Sequence, residues 1–308
     1  MTSIGYTKGS TVIGALSYTY NSNGQRVEVS GSLAATLIPA GMSGATYDAA
    51  NRLVNWAGST KTYDTNGNLV SDGTSTYQWD SRERLISIGG NVNGSFSYDS
   101  SGRRVAKTIN GSTVNFVYDG ENFVQELVAG SSSATRLTGL LMDQFFSRTD
   151  SSGPRIAITD ALGSTLALVD ENGLTKTTYS YEPYGDASTG GESNANSTQY
   201  AGRENDGSGL YYYRNRYYSP QTSRFISEDS IGRANGLANA YAYVRGNPLS
   251  FIDPLGLYDT EPGLQPVCPE CALIPIARAG RVIADLWPRQ KEPQACPRRG
   301  QTVWEEIW

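Results

Sequence analysis

Two acidic residues, Asp229 and Asp253, are the main candidates for chemistry in this sequence. They lie in residues 211–257, a segment dense in Tyr and Arg that closes on Asp-Pro-Leu-Gly-Leu. Two carboxylates that share a proton can act as general base and general acid on a water that attacks an amide. The chain has no histidine, which excludes Ser-His-Asp and Cys-His catalysis, zinc sites that need imidazole, and a histidine-based pH switch. Catalysis would therefore use carboxylates, Tyr, Lys, Cys or an exogenous cofactor.

Both aspartates also have a purely structural interpretation. In that interpretation Asp229 caps a turn before Ile231, and Asp-Pro-Leu-Gly forms a type I or II turn that ends the last strand. Pro254 biases the residue before it toward an extended backbone, and Gly256 permits an unusual turn. The catalytic and the structural interpretation both remain open at this stage.

The tyrosines and arginines of residues 211–218 allow two interpretations as well. Cation–π stacks that include Arg214 and Arg216 can bind sugars or anions, in which case Tyr212 and Tyr217 would contact a carbohydrate. Alternation of Tyr and Arg along a strand more often reflects cross-strand packing with solvated arginines. We favour packing.

The composition predicts an all-β protein. The 308 residues include 34 Gly and 20 Tyr but only 18% charged residues, and Gly and Tyr suit tight turns and half-buried sheets. The net charge of −5 argues against nucleic acid as the main partner. No apolar run reaches the ~20 residues that span a bilayer, and the N-terminus is a poor secretory signal. We therefore expect a secreted or surface protein without a classical signal peptide, or otherwise a cytoplasmic one.

The segment after Leu257 differs in character from the rest. It holds all three cysteines, Cys268, Cys271 and Cys296. The first two have metal-ligand spacing, but three cysteines without a histidine leave a tetrahedral zinc site incomplete. We expect free thiols or one disulfide, and no metal or other cofactor. Residues 271–287 predict a short amphipathic helix that ends before a proline.

A repeat runs through the first half of the chain. It reads TYDAANRLV (46–54), TYDTNGNLV (62–70), QWDSRERLI (78–86) and SYDSSGRRV (97–105). The aromatic should end one strand, the Asp should accept hydrogen bonds from nearby amides in an Asx turn, and Asn51, Gly67 or Gly102 should adopt positive φ. Such a hairpin cannot bury its aromatic alone, so neighbouring hairpins must stack or wind.

These repeats resemble the YD repeats of RHS and teneurin-like proteins. Four further elements follow in order, YYYRNRYYSP, SRFISEDSIG, NAYAYVRGNP and IDPLGL, and they are similar to the RHS repeat-associated core domain. The resemblance covers most of residues 18–257. It implies an all-β fold, a winding array of antiparallel β-hairpins that ends in the core domain, with a short irregular or helical tail. The expected domains are a YD-repeat array (1–150), a core domain (151–257) and a variable C-terminal tail (258–308).

The same resemblance implies a self-cleaving site. Members of this family build a hollow shell behind a variable C-terminal cargo, commonly a toxin, and several cut the chain after the Asp-Pro-x-Gly-Leu element with paired aspartates. Here the scissile bond would be Leu257–Tyr258. Asp229 and Asp253 would be the acids, and Arg224 would orient them or balance their charge.

The expected function is that of a C-terminal shell or scaffold segment of an RHS-type polymorphic toxin or delivery protein. Any enzymatic activity would be at most that of an intramolecular aspartyl autoprotease. Expected partners are the chain's own tail or the remaining shell of a larger protein, and further candidates are a secretion machinery or an immunity protein. The roughly 240 residues of hairpins are too few to enclose a cargo alone. The alternatives are a non-enzymatic surface adhesion module that binds carbohydrate, or a truncated remnant without activity.

Overall fold

The computed structural model describes residues 1–231 and 239–262. Within these residues all strands pair antiparallel within their sheets, each with the next strand in sequence, and helical structure is limited to two short 3-10 turns, Tyr200–Gly202 and Val244–Gly246. The prediction of an all-β fold built from antiparallel hairpins is confirmed. The predicted helix at 271–287 and the three cysteines lie outside the described residues.

The strands form four sheets. The first contains β1 (Ser3–Lys8), β2 (Thr11–Tyr20) and β3 (Arg26–Ser30), and the second contains β4 (Thr46–Tyr47), β5 (Leu53–Trp56) and β6 (Ser59–Thr60). The third has fourteen strands: β7 (Thr62–Tyr63), β8 (Leu69–Ser71), β9 (Thr76–Trp79), β10 (Leu85–Gly89), β11 (Gly94–Tyr98), β12 (Arg104–Ile109), β13 (Ser112–Asp119), β14 (Asn122–Val128), β15 (Ser131–Thr138), β16 (Phe145–Asp150), β17 (Gly153–Thr159), β18 (Thr165–Val169), β19 (Thr175–Tyr181) and β20 (Ala187–Gly191). The fourth contains β21 (Glu204–Asn205), β22 (Tyr211–Tyr213), β23 (Arg216–Ser219) and β24 (Arg224–Phe225).

The repeated aspartates form the predicted turns. In each repeat the Oδ1 atom accepts hydrogen bonds from main-chain N–H groups two or four residues further on, as at Asp48, Asp64, Asp80 and Asp99. Asn51, Gly67 and Gly102 have φ of 61°, 84° and 86°. The third repeat places Glu83 at this position with φ 60°, although it is neither Gly nor Asn. The carboxylate therefore fixes the turn even where the residue type at the positive-φ position is unfavourable.

Side chains join each repeat to the next. The aromatic donates a hydrogen bond to a main-chain carbonyl of the preceding repeat: Tyr63 to Leu53 (3.1 Å), Trp79 to Leu69 (2.8 Å), Tyr98 to Leu85 (2.7 Å) and Tyr118 to Arg104 (2.9 Å). In three repeats an arginine after the Asp turn also stacks on that ring, namely Arg52 on Tyr63, Arg84 on Tyr98 and Arg103 on Tyr118. The repeats thus cover one another's aromatic rings, as the sequence predicted.

The winding strip brings its start against strands about 150 residues later. The Tyr6 hydroxyl donates to the Thr159 carbonyl (2.8 Å), and the Tyr18 hydroxyl accepts from the Ala161 N–H (3.0 Å). The Leu37 N–H donates to the Tyr181 carbonyl (3.0 Å). The fourteen-stranded sheet continues across the expected domain boundary at residue 150, which falls at the end of β16, and the three-domain division stays a prediction.

A tyrosine-rich hairpin, β22–β23, packs between two hydrophobic clusters. Tyr211 and Tyr213 pack into one hydrophobic cluster, whereas Tyr212 and Tyr217 pack into a second that includes repeat residues such as Leu85. The hairpin is therefore buried on both faces, and its tight packing fixes the position of the arginine at its turn.

None of the helical segments in residues 1–231 and 239–262 has the length and apolar character to cross a membrane. The same residues contain no group of three or more acidic or cysteine side chains arranged to hold a metal ion.

Candidate active site

The site is built on the turn between β22 and β23. Tyr213 pairs with Arg216, so Arg214 and Asn215 form a two-residue connection. Arg216 is 4% exposed, and its guanidinium carbon lies 3.7 Å from the centre of the Phe225 ring. Stacking on a buried ring holds the guanidinium in one orientation.

The Asp-Pro-Leu-Gly-Leu segment turns back on itself beside this hairpin. The Ile252 N–H donates to the Thr260 carbonyl (2.9 Å) and the Thr260 N–H donates to the Ile252 carbonyl (2.8 Å), while the Gly256 N–H donates to the Asp253 carbonyl (3.3 Å). Gly256 has φ 67°. The predicted turn is present, and Leu257–Tyr258 lies on its returning side.

Arg216 brings the two aspartates together. Its Nη2 atom lies 3.2 Å from Oδ2 of Asp229 and 3.5 Å from Oδ2 of Asp253. Both aspartates are 3% exposed. Two buried carboxylates thus share one guanidinium nitrogen, which offsets part of their mutual repulsion.

Asp253 also binds the main chain at the expected scissile bond. Its Oδ1 atom accepts hydrogen bonds from the N–H of Leu257 (2.9 Å) and of Tyr258 (3.2 Å). Burial raises the pKa of Asp253 from 3.8 to about 6; Arg216 and the two amides oppose this rise, and Asp229 adds to it. A carboxyl that titrates near neutrality can carry a proton for general acid catalysis.

The structural roles considered for the two aspartates are present as well. Oδ1 of Asp229 accepts from the Ile231 N–H (2.9 Å), which is a turn cap, and Oδ1 of Asp253 stabilises its own turn. In each aspartate the other oxygen contacts Arg216. The turn bonds orient both carboxylates toward the same guanidinium.

The structure places Arg224 elsewhere. One of its terminal nitrogens donates to the Asn51 carbonyl and to Oδ1 of Asn239 (3.2 Å), and its guanidinium stacks on Tyr47 and Tyr241. The position between the aspartates that the resemblance gave to Arg224 is occupied by Arg216. Sequence reasoning treated Arg216 only as part of the Tyr-Arg alternation, and no local signal separates the two arginines.

The tyrosines proposed for carbohydrate binding are not at the surface. Tyr212 and Tyr217 are each 2% exposed. The packing interpretation of 211–218 agrees with the structure, but of the arginines expected to be solvated Arg216 is buried and Arg214 is half-buried. Arg216 stacks on Phe225 and pairs with both aspartates, and Arg214 pairs with Asp143, so both guanidinium groups are held against the protein instead of in solvent.

The family model described as the Teneurin YD-shell matches residues 4–247. The chain belongs to this family. A YD-shell fold accounts for the meander of hairpins, and the family match includes Arg216 and Asp229.

Known proteins share parts of this YD-shell chain. The tRNA3(Ser)-specific nuclease WapA of Bacillus spizizenii is 32% identical over 171 residues, which is 53% of this chain and 7% of that protein. Toxin subunit YenC2 of Yersinia entomophaga is 40% identical over 94 residues, 29% of this chain and 10% of the subunit. A solved structure titled TcdB2-TccC3 without hypervariable C-terminal region has a TM-score of 0.58 at 20% identity, covering 83% of this chain and 18% of that one. This chain thus corresponds to a small share of each longer relative.

Proposed function

We propose that this chain is a shell segment of a toxin or delivery protein and that it cuts its own Leu257–Tyr258 bond with Asp229 and Asp253. One observation carries the proposal: the carboxylate that bonds to the N–H of that peptide bond also shares Arg216 with a second buried carboxylate. A turn cap alone needs neither the second acid nor the shared arginine.

The proposed reaction is hydrolysis of an amide. A water oxygen bonds to the carbonyl carbon of Leu257, and its proton passes to the carboxylate of Asp229. Asp253, protonated, gives its proton to the nitrogen of Tyr258 as the carbon–nitrogen bond breaks. The products are a carboxylate at Leu257 and an α-amine at Tyr258. The turn presents the bond to the acids within one chain, so a slow catalyst suffices.

Arg216 has two functions in this proposal. Its Nη2 atom contacts both carboxylates and places a positive charge between them, and its Nε donates to the Gly256 carbonyl, one residue before the scissile carbonyl. The arginine therefore links the acids to the main chain that they cut.

The relatives support the proposed role as a shell segment of a toxin or delivery protein. They are a nuclease, a toxin subunit and TcdB2-TccC3, which was solved without its hypervariable C-terminal region. In this chain the segment 258–308 would be the part released or retained after cleavage. We accordingly propose other toxin components, the remaining shell and the tail itself as partners.

The test is the intact mass of the purified chain over time. Wild-type protein should give fragments 1–257 and 258–308, whereas Asp253→Asn and Asp229→Asn should stay whole. Asp99→Asn is the matched control, because Asp99 also pairs with an arginine but belongs to a repeat turn. An intact wild-type mass after long incubation at about pH 6 would exclude self-cleavage and favour a scaffold or an inactive remnant.

A further inference from the structure

Three consecutive residues, the two of the β22–β23 turn and the first of β23, donate to three consecutive carbonyls of the cleavage segment. Nη1 of Arg214 donates to the Pro254 carbonyl (2.6 Å), and Nδ2 of Asn215 donates to the Leu255 carbonyl (3.0 Å). Nε of Arg216 donates to the Gly256 carbonyl. The carbonyl that follows in this series is that of Leu257, the proposed scissile one. We call these bonds the carbonyl ladder.

The ladder contacts main-chain atoms only. Its acceptors are carbonyl oxygens, and Asp253 likewise contacts main-chain groups, the N–H of Leu257 and of Tyr258. Main-chain contacts determine which peptide bond lies beside the acids, whatever side chains flank that bond.

The first donor of the ladder is itself held by a separate loop. Asp143, in the connection between β15 and β16, binds Arg214 through both carboxylate oxygens, Oδ1 to Nη2 (2.8 Å) and Oδ2 to Nη1 (3.0 Å). The same nitrogen, Nη1, donates to Pro254. A bidentate pair fixes the plane of the guanidinium, which a single contact would not.

Asp143 is fixed in turn by its surroundings. Its N–H donates to Oδ1 of Asn122 (2.9 Å), and its carboxylate also binds Arg203. The residue has φ 62°, an uncommon conformation for a non-glycine residue. Burial alone would raise the pKa of Asp143, but Arg203 and Arg214 outweigh it and hold the pKa below 3.8, so the carboxylate is charged near neutral pH.

We infer that Asp143 and Arg214 are positioning residues that set the register of the carbonyl ladder and thereby select Leu257–Tyr258 as the bond that is cut. The inference rests on the proposed self-cleavage. Neither residue contacts the aspartates in the bonds described above; they act through the main chain at Pro254. Selection by register means that the side chains at 257 and 258 contribute little to which bond is cut.

Asp143→Asn and Arg214→Lys test this inference in the full chain. Asparagine loses the charge that fixes Arg214, and lysine loses the bidentate geometry. A misplacement of about 1 Å costs roughly 10²-fold in rate. We expect slower cleavage of about that size, fragments whose mass shows cuts at neighbouring bonds, and an unchanged pH dependence of the residual cleavage. Loss of folding alone would not move the cut to another bond.

Asp150→Asn is the matched control, because Asp150 also pairs with a buried arginine, Arg148, but has no bond to the ladder among those described above. It should be cut at the same bond and within a few-fold of the wild-type rate. Cleavage of Asp143→Asn and Arg214→Lys at the wild-type bond and rate would overturn the inference, as would the same shift of the cut in Asp150→Asn. If Asp143→Asn fails to fold, Arg214→Lys and Asp150→Asn decide. An uncut wild type would instead refute the proposed function, so the two failures are distinguishable.

Discussion

Replacing Gly256 by alanine changes the turn that carries the proposed scissile bond while both carboxylates remain. Gly256 has φ 67°, and a Cβ atom there would lie 2.6 Å from the Tyr213 carbonyl oxygen and 3.3 Å from the Arg216 nitrogen. These atoms belong to the main chain of a hairpin that is buried on both faces, so they cannot move aside as an exposed side chain would. The turn itself must therefore shift.

The size of the effect follows from two separate costs. Positive φ costs an alanine about 1–2 kcal/mol. A carbon–oxygen contact of 2.6 Å must also open by several tenths of an ångström, which moves the Gly256 carbonyl away from Arg216. Because proximity effects are steep, we expect cleavage to slow by roughly 10²-fold.

The matched control is Gly102→Ala. Gly102 has φ 86° in a repeat turn, and its added Cβ would meet nothing within 4 Å. It should lose the same roughly 1–2 kcal/mol of stability but be cut at the wild-type rate. Cleavage is followed as the ratio of fragments to full chain after a pulse of in vitro translation, and stability by urea denaturation of each variant carrying Asp253→Asn. Gly256→Ala cut within threefold of wild type would refute the reasoning, as would equal slowing in Gly102→Ala.

Three further predictions concern pH and stability. The pKa of Asp253 is raised to about 6, so its protonated form is lost as pH rises through that value. The cleavage rate should therefore fall about tenfold per pH unit above pH 6. A flat rate profile between about pH 6 and pH 8 would contradict the role of Asp253 as the general acid. Arg104 is fully buried between two carboxylates, so Arg104→Met should cost about 3–5 kcal/mol in urea denaturation, and a loss below about 1 kcal/mol would contradict this. Tyr98→Phe removes a bond between repeats and should cost about 1 kcal/mol in the same assay, whereas Tyr20→Phe, at an exposed position, should cost less than half of that.

The repeats were predictable because their geometry is local. An Asp carboxylate reaches amides two and four residues away, so the sequence alone specifies the turn and the strands beside it. The covering of each aromatic by the next repeat follows from the same spacing. What the sequence did not show is Glu83 at positive φ, because the bonds to Asp80 outweigh the preference of that residue type.

The aspartates were predictable from motif order, but their arginine was not. Which of Arg214, Arg216 and Arg224 meets the acids depends on how β22–β23 lies between two hydrophobic clusters, and that arrangement joins residues more than 100 positions apart. The expectation of solvated arginines assumed a strand with one face exposed to solvent. Burial on both faces removes that option and forces each guanidinium to find carboxylates, carbonyls or rings.

Two clusters in the described residues each place an arginine between two buried acids. Around Arg104, Glu204 and Asp206 both pair with the arginine and Asp206 also pairs with Lys107, which joins the repeat array to the fourth sheet. Around Arg216, one acid also binds the N–H of a peptide bond on a returning turn. Buried ion pairs contribute little net stability, so the presence of an arginine and two acids is weak evidence for any function. The peptide bond is what distinguishes the second cluster, since it gives the raised pKa of Asp253 a group to protonate. The same comparison predicts that no fragment should end beside Glu204 or Asp206, although both are buried, as the proposed catalytic pair is.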